Sequence, residues 1–156
     1  MREKMKTASY ILAGIMEGAV IGILTYLNSA NLKLSILLAV VTGGLFGILL
    51  YYFAKNMYDQ AQSLCEKIQE KRKVFYYAGA NYLGTGGFLF VTEYAVEFYA
   101  HKINPQQQNF AIGIDDIIAI EIQGRKLCIT TEKQKVKFLV TNARKIKDFI
   151  IEVIDN

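Results

Sequence analysis

The chain has 156 residues and a net charge of +4, with 18 basic against 14 acidic residues, 53% hydrophobic residues, two cysteines and a single histidine. That length suits one modest domain beside a membrane anchor, and the near balance of charge excludes the strongly basic surface that nucleic acid requires. Cys65 and Cys128 stand far apart without CxxC spacing and His101 is alone, which excludes a disulfide framework and a zinc site and fits reduced thiols in a cytosolic setting.

In chain order, Arg2, Lys4 and Lys6 stand against Glu3, and residues 8–27 are then apolar apart from Glu17. A basic start before an apolar run also describes a signal peptide. The cleavage pattern around Asn28-Ser29-Ala30 is poor and a second apolar stretch follows at once, so the first is read as an uncleaved helix. Residues 34–54, LSILLAVVTGGLFGILLYYFA, carry no charge. At about 1.5 Å per residue they would reach roughly 31 Å, the thickness of a hydrocarbon core. Residues 28–33 suffice for a tight turn, which predicts an antiparallel transmembrane hairpin over residues 1–54. Arg2, Lys4 and Lys6 precede it and Lys55, Lys67, Lys71, Arg72 and Lys73 follow it, with only Lys33 between the spans. The positive-inside rule then sets both termini in the cytoplasm, at the inner or plasma membrane.

Gly14, Gly18 and Gly22 recur every four residues in the first span, and Gly43 and Gly47 repeat the spacing in the second. Such stripes let helix backbones approach closely in lipid, either within one hairpin or between hairpins of separate chains. A carboxylate at mid-span costs roughly 2.5 to 3.5 kcal/mol on insertion scales, which the large aliphatic residues around Glu17 offset at about 0.3 to 0.6 kcal/mol each. Thr42 is the expected hydrogen-bond partner of Glu17 at similar depth. Two readings of Glu17 stay open: a bonded packing residue, or the proton or ion site of a small oligomeric channel or transport accessory.

Residues 55–73 read as an amphipathic helical stalk continuing the second span, with Met57, Tyr58, Ala61, Leu64, Cys65 and Ile68 at helical spacing. Met57, Ala61, Leu64 and Ile68 would seat a short coiled coil and so a homo-oligomer, or serve simple packing. Its last turn, Lys71-Arg72-Lys73, is suited to anionic headgroups.

From Val74 the apolar period becomes two. Val96 and Phe98 alternate with Glu97 and Tyr99; Ile118, Ile120 and Ile122 with Ala119 and Glu121; Val136, Phe138 and Val140 with Lys135, Lys137 and Leu139. Turns are read at Gly84-Thr85-Gly86-Gly87, Asn104-Pro105, Asp115-Asp116 and Gln123-Gly124. About seven short strands predict a closed or sandwiched antiparallel sheet. Asn142 caps a final helix whose Ile146, Phe149, Ile150, Val153 and Ile154 form one apolar face over the sheet's open mouth.

The run GGFLFVTEYAVEFYAHKIN at residues 86–104, then IGIDDIIAIE at residues 112–121 and a basic amphipathic helix, resembles a GRAM domain, a compact relative of the pleckstrin-homology (PH) fold. The resemblance covers roughly residues 75–154. It implies a strongly bent antiparallel barrel closed by the C-terminal helix, and a cytoplasmic lipid- or protein-binding role. Glu93-Tyr94-Ala95 departs from the family's Asn or Asp followed by a basic residue, and the expected first loop, residues 78–87, lacks the lysines and arginines that related modules place there.

No convergent catalytic set is present: His101 is alone, Asp115 and Asp116 point to opposite faces of an extended chain, and Gly84-Thr85-Gly86-Gly87 lacks the lysine of a phosphate loop. The expectation is an α+β membrane protein, with hairpin 1–54, stalk 55–73 and GRAM/PH-like domain 74–156. It is read as non-enzymatic, with no cofactor and no metal. Arg125, Lys126, Lys133, Lys135 and Lys137 share or adjoin one hairpin, and are candidates to meet anionic lipid headgroups or a protein partner, or form a merely solvated strand face.

Overall fold

A computed structural model of the chain describes residues 2–102 and 109–155, with side chains from residue 9 onward; the expected Asn104-Pro105 turn lies outside the described residues. The chain divides into two compact units, Met1–Asp59 and Gln60–Asn156.

The first unit holds helix α1 (Arg2–Ser29) and the first part of helix α2 (Leu32–Gln69). The reversal at Ala30-Asn31 uses a positive φ of 51° at Ala30, and Asn31 Oδ1 accepts from Leu34 N at 3.1 Å to cap α2. The two helices meet on their glycines. A Cβ added at Gly14 would lie 2.5 Å from Gly43 O and 3.2 Å from Gly47 Cα, and one at Gly43 would lie 2.5 Å from Gly14 O and 3.0 Å from Gly18 Cα. At Gly18 it would strike Ala39 O, and at Gly22 it would sit 2.9 Å from Ala39 Cβ. Ala39 and the buried Ser35 therefore prolong the seam beyond the glycine spacing visible in the sequence. Away from it the side chains face outward: Ile15, Leu27, Val40 and Leu49 are 63%, 75%, 68% and 66% exposed.

The second unit contains strands β1 (Val74–Tyr82), β2 (Thr85–Thr92), β3 (Ala95–Ala100), β4 (Phe110–Gly113), β5 (Ile117–Gln123), β6 (Lys126–Thr131) and β7 (Lys135–Val140), then helix α3 (Ala143–Ile154). They form one seven-stranded antiparallel sheet in the order β4-β3-β2-β1-β7-β6-β5. Two meanders are thus joined by β1 and β7, through Ala80↔Val140, Asn81↔Leu139 and Tyr82↔Phe138. Among the described residues β4 and β5 end the ladder, so the sheet does not close on itself through hydrogen bonds. The sheet still surrounds one core, because Leu89, Val96, Phe98, Leu127, Ile129 and Phe138 pack together with Ile146 and Ile150 of α3. Half-buried Tyr82 packs against this core, its ring 4.8 Å from Phe110 and 5.6 Å from Phe138. Asn142 caps α3 by accepting from Lys145 N at 3.4 Å. Ala143 joins the buried face of α3 while Ile154 is 45% exposed, one step beyond the reach of the sheet.

Two strand readings need correction. A register shift between Ile117 and Ala119 turns Ile118 outward, where it is 64% exposed, so Ile117, Ile120 and Ile122 are the ones that pack on the core. Residues 78–87 are not a loop: β1 and β2 pair up to Tyr82↔Thr85, leaving Leu83 and Gly84 as a two-residue turn with φ of 50° and 86°. Positive φ at both positions is the type I′ hairpin, which suits Asn-Gly and strains leucine. Leu83 is 79% exposed, so Leu83→Asn sacrifices little packing. That variant is expected to be more stable by about 1 kcal/mol, read as a higher melting temperature of the purified chain.

Candidate functional site

The core-facing side chains of β6 and β7 are Leu127, Ile129, Val136, Phe138 and Val140, which leaves Lys126, Lys135, Lys137 and Leu139 on the outward face. The pairings Lys126↔Leu139 and Cys128↔Lys137 put Lys126 and Lys137 on neighbouring strands of that face. Arg125 stands in the turn before Lys126, whereas Lys133 lies in the opposite turn of the hairpin. At about 3.3 Å per residue the length of β6 separates those turns by roughly 20 Å, so the five expected basic residues do not converge. Lys135 is engaged with Glu121, Nζ to Oε2 at 2.8 Å. Each holds the other's charge: the lysine pulls the Glu121 carboxyl down, and the carboxylate pushes Lys135 up. Among the described residues Arg125, Lys126 and Lys137 form no ion pair and remain the compact basic group.

Beside Arg125 lies a concavity of about 440 Å³ lined by Gly79, Asn81, His101, Arg125, Leu139 and Thr141, among others. It exists because Gly79 puts no side chain on the sheet surface, where a Cβ would meet nothing within 4 Å. His101 packs edge-on against Phe88 with ring centres 4.6 Å apart. Among the described residues its buried Nδ1 has no hydrogen-bond partner, and burial pushes its pKa down.

A second polar set lies on the outward side of β2 and β3. Glu97 is 2% exposed and meets Arg72 Nη1 at 3.0 Å; Tyr99 Oη donates to Glu97 Oε2 at 2.7 Å, and Thr92 Oγ1 lies 3.3 Å from Oε1. Burial first, then the bond to Glu97 and its charge, push the Tyr99 phenol up to about 12. Phe88 and Phe90 on this side are buried as well, and so are Ala61, Cys65 and Ile68 near the end of α2, four and three residues apart on one helix face. Arg72 stands three residues beyond Gln69, the end of α2, so its ion pair fastens the chain leaving the helix to β3. Of the stalk residues read as a coiled-coil seam or as simple packing, Ala61 and Ile68 are thus buried in this unit and Leu64 is half-buried. Burial also raises the Cys65 thiol, with Glu66 adding to it, and both cysteines are free and buried.

In the helical hairpin the expected Glu17–Thr42 bond is absent. Thr42 Oγ1 donates to Leu38 O of its own helix at 2.6 Å, and Glu17 is exposed. The reason is geometric: at 100° per residue Glu17 lies about 60° from Gly14 and about 100° from Gly18, on the flank of the seam. The opposite flank carries Ile11, Ile15 and Ala19 beside a groove of about 770 Å³ floored by the seam glycines.

Arg72, expected with Lys71 and Lys73 to face anionic headgroups, is instead held by Glu97, and neither Glu97 nor the Phe88/Phe90 face is singled out by the sequence. The signal was there: GGFLFVT has no alternation, and an uninterrupted apolar run marks a strand covered on both sides.

No family model and no curated protein matches the chain. Among solved structures it is similar to the C-terminal domain of an unknown protein from Leishmania infantum, at 12% identity and a TM-score of 0.46, covering 69% of this chain and 99% of that one. It is also similar to the complex of the FERM and C-terminal domains of Drosophila Merlin (16% identity, TM-score 0.45), covering 53% of this chain and 29% of that one. A third is the N-terminal PH domain of human ARAP2 (14% identity, TM-score 0.41), covering 55% of this chain and 82% of that one.

Proposed function

We propose that the chain is a membrane-anchored, non-catalytic interaction module: the helical hairpin crosses the inner or plasma membrane, and a GRAM/PH-like head meets anionic lipid headgroups in the cytoplasm. The observation that carries the reading is the outward-facing apolar surface of the hairpin. Its two helices are long and apolar enough to span, with only 11% of each apolar window buried. A helix in the core of a soluble protein would be mostly covered, and an exposed apolar surface of this extent calls for lipid or a partner. The excess of basic residues at the two outer ends of the hairpin favours cytoplasmic termini. In the head, Arg125, Lys126 and Lys137 supply positive charge outside the ion pairs of the described residues, and Leu139 offers an exposed apolar contact beside them.

Full-length protein in nanodiscs of neutral lipid is expected to cosediment with vesicles rich in phosphatidylserine and not with phosphatidylcholine vesicles. Neutralising both, Lys126→Gln with Lys137→Gln, is expected to weaken that binding roughly twenty-five-fold, since each basic residue near the surface contributes about a fivefold factor. Equal recovery of wild type and double variant would count against lipid as the ligand of this face.

A further inference from the structure

We propose that the hairpins pair two by two through the α1 flank that carries Glu17, the two Glu17 carboxylic acids bonding to each other across a two-fold axis. The inference rests on the membrane crossing proposed above and goes beyond it. Glu17 lies near the middle of the first span, faces outward, and has no partner among the described residues. Polar side chains within spans face a bundle interior, so an outward Glu17 means that the bundle is larger than one hairpin. The chain's other resources for satisfying it are already committed. The glycine seam is consumed by the contact of α1 with α2, and Thr42 is bonded to Leu38 O.

A second copy is the occupant the chemistry favours. Neither apolar stretch, 9–29 or 34–54, contains a lysine or arginine, so no basic group at that depth answers the carboxyl. A carboxylic acid is both donor and acceptor, and a two-fold contact brings each residue near its own counterpart, so like meets like with both bonds made. Ala13, one turn before Glu17 on the same flank, leaves room for the partner helix to approach.

The test uses the full chain reconstituted in liposomes at low density, with two labelled populations mixed and energy transfer between copies measured. Wild type is expected to pair. Glu17→Gln, whose amide also donates and accepts, is expected to keep the pair, whereas Glu17→Leu is expected to weaken association about tenfold. Leucine favours insertion, so loss of pairing in that variant does not report failed insertion. Oxidation of Ala13→Cys is expected to link two copies and that of Ile15→Cys, on the opposite flank, to link none; the native Cys65 and Cys128 are buried. A wild type that stays single, a pair that survives Glu17→Leu, or linkage through Ile15→Cys instead would overturn the proposal. Recovery of the chain with liposomes after an alkaline wash is scored first. A chain that stays with lipid but remains single contradicts pairing alone, and one that washes off contradicts the membrane crossing as well.

Discussion

Replacing Gly43 with leucine is expected to destabilise the helical hairpin by about 3 kcal/mol, while the same change at the adjacent Gly44 leaves it within about 0.5 kcal/mol. The two glycines are sequence neighbours, but a Cβ at Gly43 would press on the Gly14 carbonyl oxygen at 2.5 Å and one at Gly44 would meet nothing within 4 Å. The obstacle at Gly43 is backbone, which cannot rotate away as a side chain does, so α1 and α2 must separate and forfeit contacts along the whole seam. In lipid those contacts are what holds two helices together. Titrating SDS into mild-detergent micelles, with energy transfer between dyes at residues 12 and 49, measures the separation directly. Equal destabilisation at both positions would show that helix propensity governs, rather than close approach.

The second large effect is expected at Arg72. Removing it by Arg72→Met leaves Glu97, which is 2% exposed, with only Tyr99 and Thr92 to answer its charge. Breaking a buried pair from one side costs about 3 to 5 kcal/mol, and the Arg72 side chain is 31% exposed, so a loss near 3 kcal/mol is expected. Arg72→Met combined with Glu97→Leu is expected to recover much of that loss, because no uncompensated charge then remains. Denaturant titration of the head's tyrosine signal checks both. The same network sets an alkaline limit. Tyr99 has its pKa raised from 10.0 to about 12. Its neutral form is thus favoured by folding, the stabilisation is complete below pH 10, and it fades as pH climbs towards 12. Tyr99→Phe is expected to flatten the decline of melting temperature over that interval.

Much of this architecture was legible in the residues. A charge-free stretch at positions 34–54 admits few conformations in a cell other than a buried or spanning helix, and Val136, Phe138 and Val140 could alternate with lysines only on a strand with one dry face. The glycine spacing named the seam, although which helices it would join required the fold. What stayed hidden depends on geometry that periodicity does not carry. A single inserted residue at Ile117–Ala119 turned Ile118 outward, and no composition signal marks such a bulge. Leu83 occupies a turn position where leucine is disfavoured, so the β1–β2 hairpin looked like a loop. Glu97 reads as a solvent residue in any alternating strand, and only the return of the chain after α2 brings Arg72 to it. Glu17 differs again: its position was plain, but that it has no partner among the described residues emerged only once both flanks of the seam could be seen.

The claim on which the rest depends is that the hairpin lies in lipid. Lysed cells expressing the chain should be fractionated by high-speed centrifugation, and the membrane pellet washed with alkaline carbonate. The expected result is full retention in the pellet until detergent is added. Recovery of the chain in the first supernatant, as a monodisperse species without detergent, would contradict it.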